Sequence, residues 1–295
     1  MKRTLSGILC LALVLGLQTP QVWAHGVAGN RFFPATLAID DLAVADELAL
    51  PSFSHIKGPD GKETELGFDL QKTITPDLAI SIGGTYRILN PSDPEASSAS
   101  GFANPEVGLK YNLFRSDAHE TLVSMGLAWE IGGVGDKKVG ADSSSTLAPA
   151  LFFGKGLGDL PDTLTFLRPV AVTGTVGAEI PFARGESNNL TYGVTLQYSL
   201  PYLQGYVKDV GIPWPLSRLI PLVEFAFSTP LEGEIKGKTT GTVNPGLIWA
   251  GKYFEVGVEA IIPINSRSGG HVGARALLHF FLDDLFPAVF RPVFP

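Results

Sequence analysis

Apolar and polar residues alternate along most of the chain after residue 65, which is the period-two pattern of strands with one apolar face. In 253–263, large apolar residues take every second position, with glycine and glutamate among the residues between them. Most of the predicted strands are long enough to cross a bilayer, which takes about 9–11 residues in a tilted strand. We predict twelve strands, at 44–56, 65–75, 78–89, 103–114, 121–132, 145–156, 166–180, 189–201, 219–229, 242–250, 253–263 and 269–281.

The connections between these strands alternate in character. The short set is 75–77, 115–120, 158–163 and 251–252, and the longer, polar set is 58–64, 90–102, 133–144, 181–188, 231–241 and 265–268. Outer-membrane barrels have short periplasmic turns and longer external loops. Only 203–218, which carries Pro213-Trp214-Pro215, is long where a short turn is expected. It is either an interfacial segment or a miscounted pair of strands.

The fold class is therefore all-β, a transmembrane antiparallel up-and-down β-barrel of about twelve strands spanning 44–281. Lipid offers no partner to backbone polar groups, so spanning strands must close into a barrel. Beyond the first residues no run of 18 apolar residues occurs, which excludes a helical membrane protein. The polar faces then line a lumen too wide for side chains alone to fill, because eight strands already reach that limit.

Residues 1–24 are predicted to form a signal peptide. Lys2 and Arg3 precede an apolar run over 5–17, and Val22 and Ala24 suit a cleavage site after residue 24. One alternative is a membrane anchor, although the apolar run is short for a membrane-spanning helix. The other alternative is a lipoprotein cleaved before Cys10. Because Cys10 is the only cysteine, the mature chain has no disulfide. We expect export to the outer membrane of a Gram-negative cell, with lipid and the barrel assembly machinery as partners.

The distribution of charged residues limits the possible functions of the protein. The formal net charge of −7 and the lack of basic clusters exclude nucleic acid as a partner. The polar faces place seven acids and three bases in the lumen, which predicts a cation-preferring or polar-solute channel. The alternative is a salt-bridged interior that only keeps the barrel rigid and hydrated. The predicted lumen charges are Asp69, Arg87, Glu106, Lys110, Glu130, Glu179, Glu224, Glu255, Glu259 and Arg275.

The two ends of the mature chain lie outside the predicted strands. Residues 25–43 form a periplasmic segment that either plugs the lumen or is a disordered leader. As a plug, Arg31 would meet an interior carboxylate, and Phe32 and Phe33 would block passage. Residues 282–295 form a C-terminal tail.

Two weaker chemistries remain open alternatives, although we expect no cofactor, no metal and no enzymatic activity. His25, as the mature N-terminus, offers an amine and an imidazole to Cu(II), but further ligands cannot be placed. A barrel-embedded lipid hydrolase would need a nucleophile beside a base. No spacing links its candidates, which are His271, Arg275, His279, Ser81, Ser124 and Ser199.

Two stretches carry a family resemblance, HGVAGNRFFPAT at 25–36 and GARALLHFFLDDLFP at 273–287. With the strand pattern, they resemble a group of proteobacterial outer-membrane barrels similar to the "MetA-pathway of phenol degradation" transporter family. The resemblance implies passage of small, hydrophobic compounds and no established substrate. The last strand also resembles a barrel-assembly signal ending at Phe280, from which the tail 282–295 departs.

The function expected from the sequence is passive passage of small solutes through a monomeric outer-membrane barrel. A non-conducting structural or assembly barrel is the first alternative, and the embedded hydrolase is the second. Conductance through the lumen would distinguish the channel hypothesis from the non-conducting structural barrel.

Overall fold

The chain folds as one closed antiparallel barrel in a computed structural model that describes residues 26–58 and 61–294. The signal peptide and His25 lie outside the described residues, so both remain predictions. The strands are β1 (Val27–Ala28), β2 (Arg31–Phe32), β3 (Glu47–Lys57), β4 (Gly61–Thr75), β5 (Leu78–Pro91), β6 (Ala99–Phe102), β7 (Glu106–Ser116), β8 (Thr121–Glu130), β9 (Thr146–Gly156), β10 (Val170–Pro181), β11 (Asn189–Tyr198), β12 (Leu219–Pro230), β13 (Thr240–Ala250), β14 (Phe254–Pro263) and β15 (Gly273–Phe281).

Twelve strands make the barrel wall: β3 to β5 and β7 to β15. Each pairs with the wall strands before and after it in the chain, β15 pairs with β3, and β4 joins β3 to β5, so the wall closes on itself. The twelve-strand prediction is confirmed. The first strand begins at Glu47 rather than at 44, and the strand expected at 103–114 is β7, which begins at Glu106. The short strand β6 lies in the connection expected at 90–102 and pairs with the last part of β5.

The two ends of the barrel differ. We call the end where β3 begins and β15 finishes the terminal end, and the opposite one the loop end. The connection 199–218 at the terminal end holds no extra strands, only the short helix α1 (Leu200–Tyr202), a π-turn (Leu203–Val207) and a 3₁₀ turn (Leu216–Arg218). Trp249 on the outer face of β13 donates its indole N–H to the carbonyl of Pro215 at 3.1 Å, which ties this connection to the outside of the wall.

Side chains sort by size across the wall. Large apolar residues face outward and are exposed, as Leu109, Trp129 and Val258 show. Inward positions carry small or polar residues, and Thr195 and Glu224 are fully buried. This is the arrangement required when the outer surface meets lipid and the inner one meets water or protein. In the described part of the chain, no helix has the length and apolar character to cross a membrane.

The C-terminal tail follows the terminal rim. It begins with the helix α2 (Leu282–Leu285), whose first N–H donates to the carbonyl of Asp46 at 2.9 Å. Further on, Phe294 donates its N–H to the carbonyl of Ile74 at 2.8 Å, at the end of β4. The tail therefore continues past the last strand along the outside of the terminal end.

Candidate functional site

Residues 26–46, here called the interior segment, lie inside the barrel and fill its terminal half. A buried carboxylate fixes the middle of the segment: Glu224 of β12 accepts the backbone N–H groups of Leu37, Ala38 and Ile39 at 2.8, 3.0 and 3.1 Å. Glu224 has no exposed surface. Three backbone donors to one carboxyl group occupy its acceptor oxygens and orient the segment across the lumen.

Arg31 fixes the beginning of the segment at the terminal end. Its guanidinium is buried, pairs with Glu120 at 3.1 Å and donates to the carbonyls of Pro169, at 2.9 Å, and Arg168. It also stacks over the Tyr202 ring, 3.8 Å from the ring centre. We call this group the Arg31 clamp, because it joins the segment to three separate terminal connections.

Glycine makes room for the Arg31 clamp. A Cβ at Gly156 would collide with the Glu120 carboxylate and lie 2.6 Å from Nε of Arg31. The N–H of Gly158 donates to Glu120 at 3.0 Å, and the Tyr202 hydroxyl donates to the same carboxylate at 2.7 Å. Burial, together with the carboxylate of Glu120, raises the pKa of Tyr202 to about 12, so the phenol stays a hydrogen-bond donor.

Two apolar clusters flank the segment near the terminal end. In the first, the Phe33 cluster, Phe33 and Leu42 of the segment pack against wall residues that include Leu122 and Phe152. In the second, the Ile248 cluster, the segment contributes Phe32 and Leu37, and the wall contributes Ile220, Leu222, Ile248 and Ala250. Inward-facing apolar side chains therefore occur where the segment covers them.

A second carboxylate holds the segment beside β15. Glu255 accepts the N–H of Ala35 at 2.8 Å and contacts Nδ1 of His279 at 3.1 Å. The other ring nitrogen of His279 lies 3.5 Å from the Glu47 carboxylate. His279 thus lies between Glu47 and Glu255, of which Glu255 holds the segment. His271 lies beyond the other end of β15, in an exposed connection at the loop end.

The serines proposed for a hydrolase also serve the interior packing. Ser124 donates its hydroxyl to the carbonyl of Leu42 at 2.8 Å, and Ser199 accepts the N–H of Tyr202 at 3.2 Å. Ser81 lines the cavity described next. In residues 26–58 and 61–294, no three histidine, cysteine or acidic side chains group as metal ligands.

On the loop side of the segment lies a cavity of about 540 Å³. Its floor is formed by residues 38–40 of the segment. One wall carries Asp69, Glu106 and Lys110, and Lys110 donates to the carbonyl of Asp41 at 2.6 Å. The opposite wall carries Glu179 among small residues, including Ala148, Ala150, Thr175, Thr191, Ala226 and Ser228. A smaller cavity of about 270 Å³ adjoins the same segment and reaches Arg275 and His279.

The remaining predicted lumen charges are paired. Glu259 forms an ion pair with Arg275. Arg87, at the loop end, pairs with Glu63 and Glu65 at 3.1 and 3.0 Å and donates to the carbonyl of Val139. Glu130 accepts the side-chain N–H of Asn104 at 2.8 Å.

The ten predicted charges therefore fall into distinct groups. Asp69, Glu106, Lys110 and Glu179 line the large cavity, and Arg275 lines the small one. Glu224 and Glu255, expected as lining charges, instead lie beneath the interior segment, because its backbone covers both carboxylates. Sequence reasoning missed Glu120 and Tyr202, which lie in connections where no strand pattern assigns a face.

Comparisons with solved structures show the barrel fold. The COG4313 outer membrane channel from Pseudomonas putida F1 matches with a TM-score of 0.54 and 11% identity, over 85% of this chain and 99% of that one. The KdgM porin matches at 0.48 and 12% identity, covering 79% and 98%, and LpxR from Salmonella typhimurium at 0.43 and 14%, covering 80% and 99%. No protein-family profile and no curated protein matches the sequence. The likeness to the COG4313 channel shows the closed β-barrel fold, and the resemblance to the phenol-degradation family remains a prediction.

Proposed function

We propose that this protein is an outer-membrane channel for passive passage of small solutes, closed at its terminal end by the interior segment. One observation carries the proposal: a cavity of about 540 Å³ lies along the lumen and stops at residues 38–40 of that segment. The cavity is a preformed compartment, and its floor is a short loop held by side chains rather than a strand of the wall.

The outward surface supports a place in the membrane. The side chains of Ile82, Leu113 and Leu196 are about half exposed, and each lies on the outer face of a different strand. Such a band would be unfavourable in water, where large apolar patches associate. With the start of β3 and the end of β15 at the same rim, the terminal end would face the periplasm in the usual barrel orientation.

The lining of the cavity favours cations or polar molecules. Asp40, Asp69, Glu106 and Glu179 contribute four carboxylates, and Lys110 contributes one ammonium group already bonded to the segment. Fixed charge of one sign raises the local concentration of the opposite ion. This lining fits polar or cationic solutes better than the hydrophobic compounds implied by the family resemblance.

Deleting residues 25–43 tests the channel. The segment covers the terminal half of the lumen, so refolded deletion protein in a planar bilayer should conduct much more than the full mature chain. Retained resistance to SDS and heat-shifted gel migration will show that the barrel has folded. With a salt gradient across the same bilayer, the reversal potential should have the sign expected of a cation-selective pore.

A folded deletion variant that remains silent would contradict the proposal. It would favour the alternative of a non-conducting structural barrel, in which the cavity has no through route. Ester or phospholipid hydrolysis by the purified full chain would favour the embedded enzyme instead, and we expect none.

A further inference from the structure

A second carboxyl group lies beside Glu224, the residue that holds the middle of the interior segment. Glu259 of β14 is within hydrogen-bonding reach of the Glu224 carboxyl group. Gly246 of β13 is opposite Glu259 in the sheet and leaves space beside it, since a Cβ at Gly246 would lie 2.8 Å from Cβ of Glu259. Neither acid has exposed side-chain surface. Glu224 and Glu259 therefore form one buried pair of carboxyl groups.

The hydrogen bonds of this pair leave one oxygen without a donor. Both oxygens of Glu224 accept backbone N–H groups of the interior segment, and Oε1 of Glu259 accepts a guanidinium N–H of Arg275. Oε2 of Glu259 is buried and has no hydrogen-bond partner. Native proteins rarely leave a buried polar atom in this state. A proton on Oε2 satisfies it, because the resulting O–H donates to Glu224.

The charges of the pair lead to the same assignment. Arg275 supplies one positive charge to Glu259, whereas the groups that donate to Glu224 are neutral backbone N–H groups. Two ionised carboxyl groups that share a buried site repel each other, and a proton on one of them removes the repulsion. With one proton, the two acids and Arg275 have no net charge.

Other charged groups face the pair from the neighbouring elements. Arg275 of β15 is opposite Glu259 and contacts it directly. On β13, the residues opposite the two acids are neutral, namely Asn244 and Gly246. Glu255 is four residues away from Glu259 on β14. The charged or titratable residues that line the small cavity beside Arg275 are Asp40, Asp41, Glu47, Asp69, Lys110 and His279.

We propose that Glu259 binds a proton, donates it in a hydrogen bond to Glu224, and thereby strengthens the hold of Glu224 on the interior segment. When this proton leaves, two negative charges face each other and the segment is held less firmly. In the open state, water replaces the segment and solvates both carboxylates. Opening therefore releases a proton and is favoured as the pH rises. This inference rests on the proposed channel function and adds control by pH to its closed state.

Infrared difference spectroscopy of the full mature chain tests for the proton directly. Wild type minus Glu259→Gln at neutral pH should show the C=O stretching band of a protonated carboxyl group, and the band should disappear as the pH rises. Glutamine keeps an oxygen for Arg275 and donates a permanent N–H to Glu224. Glu63→Gln is the matched control, because Glu63 pairs with Arg87 at the loop end and is partly exposed, and it should give no such band.

Protease cleavage within residues 26–46 measures release of the segment without relying on conductance. Cleavage rates are normalised to those of the unfolded chain at each pH. For the wild type, the ratio of open to closed protein should rise above neutral pH by up to about tenfold per pH unit, the limit for release of one proton. Glu259→Gln should remove most of this dependence, whereas Glu63→Gln should keep it.

The results separate this inference from the channel itself. Absence of the carboxyl band would overturn the proton on Glu259. The same pH dependence of cleavage in Glu259→Gln as in the wild type would also overturn the inference and would indicate another titrating group, such as His279. A deletion of 25–43 that folds but stays silent would instead refute the channel function, and it would leave the infrared and cleavage results unchanged.

Discussion

The two halves of the barrel interior use the same residue types in opposite ways. In the terminal half, Glu120, Glu224 and Glu255 are buried and accept hydrogen bonds that involve the interior segment or its clamp. In the loop half, Asp69 and Glu106 line a cavity of about 540 Å³. A glutamate on the inner face is therefore a structural anchor or a lining charge according to whether the segment covers it.

This difference bears on how such a channel could open. The anchors of the terminal half hold a loop whose own backbone supplies the donors, so the contacts can break without unfolding a wall strand. The carboxylates of the loop half take no part in holding the floor. Substitutions in the terminal half should accordingly change closure of the lumen, and substitutions in the loop half should change its ion selectivity.

Arg31→Met should have the largest effect on closure. Removing one partner of a buried ion pair leaves Glu120 uncompensated, which typically costs about 3–5 kcal/mol. We expect a lower melting temperature and frequent channel openings in planar bilayers. The matched control is Lys138→Met, because the Lys138–Asp136 pair is exposed and such pairs contribute about 0–1 kcal/mol. Equal effects from both substitutions would contradict the role of the clamp.

Glu224→Gln should weaken the middle of the segment. The amide keeps one oxygen but turns N–H donors towards the N–H groups of residues 37–39, and leaving a buried donor without its acceptor costs about 1–3 kcal/mol. We expect increased protease cleavage within residues 26–46 and a higher open probability. Glu179→Gln is the control in the loop half, where neither quantity should change. If both variants behave alike, the two halves do not differ as described.

Gly156→Ala tests the space around the clamp. The added methyl group would lie 2.6 Å from Nε of Arg31, and forcing an extra methyl into a packed site costs about 1–3 kcal/mol. Gly205→Ala is the matched control, because a Cβ there has no neighbour within 4 Å. A fall in melting temperature confined to Gly156→Ala is expected, and no difference between the variants would count against the clamp geometry.

Asp69→Asn/Glu106→Gln should change selectivity and hardly affect stability. Substitutions away from packed or paired groups usually stay within about 0.5 kcal/mol. In the 25–43 deletion background, loss of two lining carboxylates should move the reversal potential in a salt gradient towards zero. An unchanged reversal potential would show that the loop-half acids do not set the cation preference.

The alternation of side chains predicted the wall well, since β10 and β13 differ by only a few residues from their predicted bounds. A strand pattern assigns each position to a face, which is how the sequence groups the ten predicted charges on one face of the wall. The pattern cannot tell Glu224 from Glu106, because the difference comes from a segment about 185 residues away in the chain. The hydrophobic periodicity also gives no indication that Glu120 pairs with Arg31. Glu120 lies in a turn, 89 residues from Arg31 in the chain.

The most direct test of closure by the interior segment is a reversible lock. A Cβ at Gly257 would have Leu37 atoms as its three nearest neighbours, with Leu37 Cγ at 3.3 Å, so Leu37→Cys/Gly257→Cys should form a disulfide. Cys10, the only native cysteine, lies in the predicted signal peptide. We would record single channels of this pair in the Arg31→Met background. We predict silent channels when the pair is oxidised and conductance after reduction. Equal conductance in both states, with the disulfide verified by mass, would show that the segment does not close the lumen.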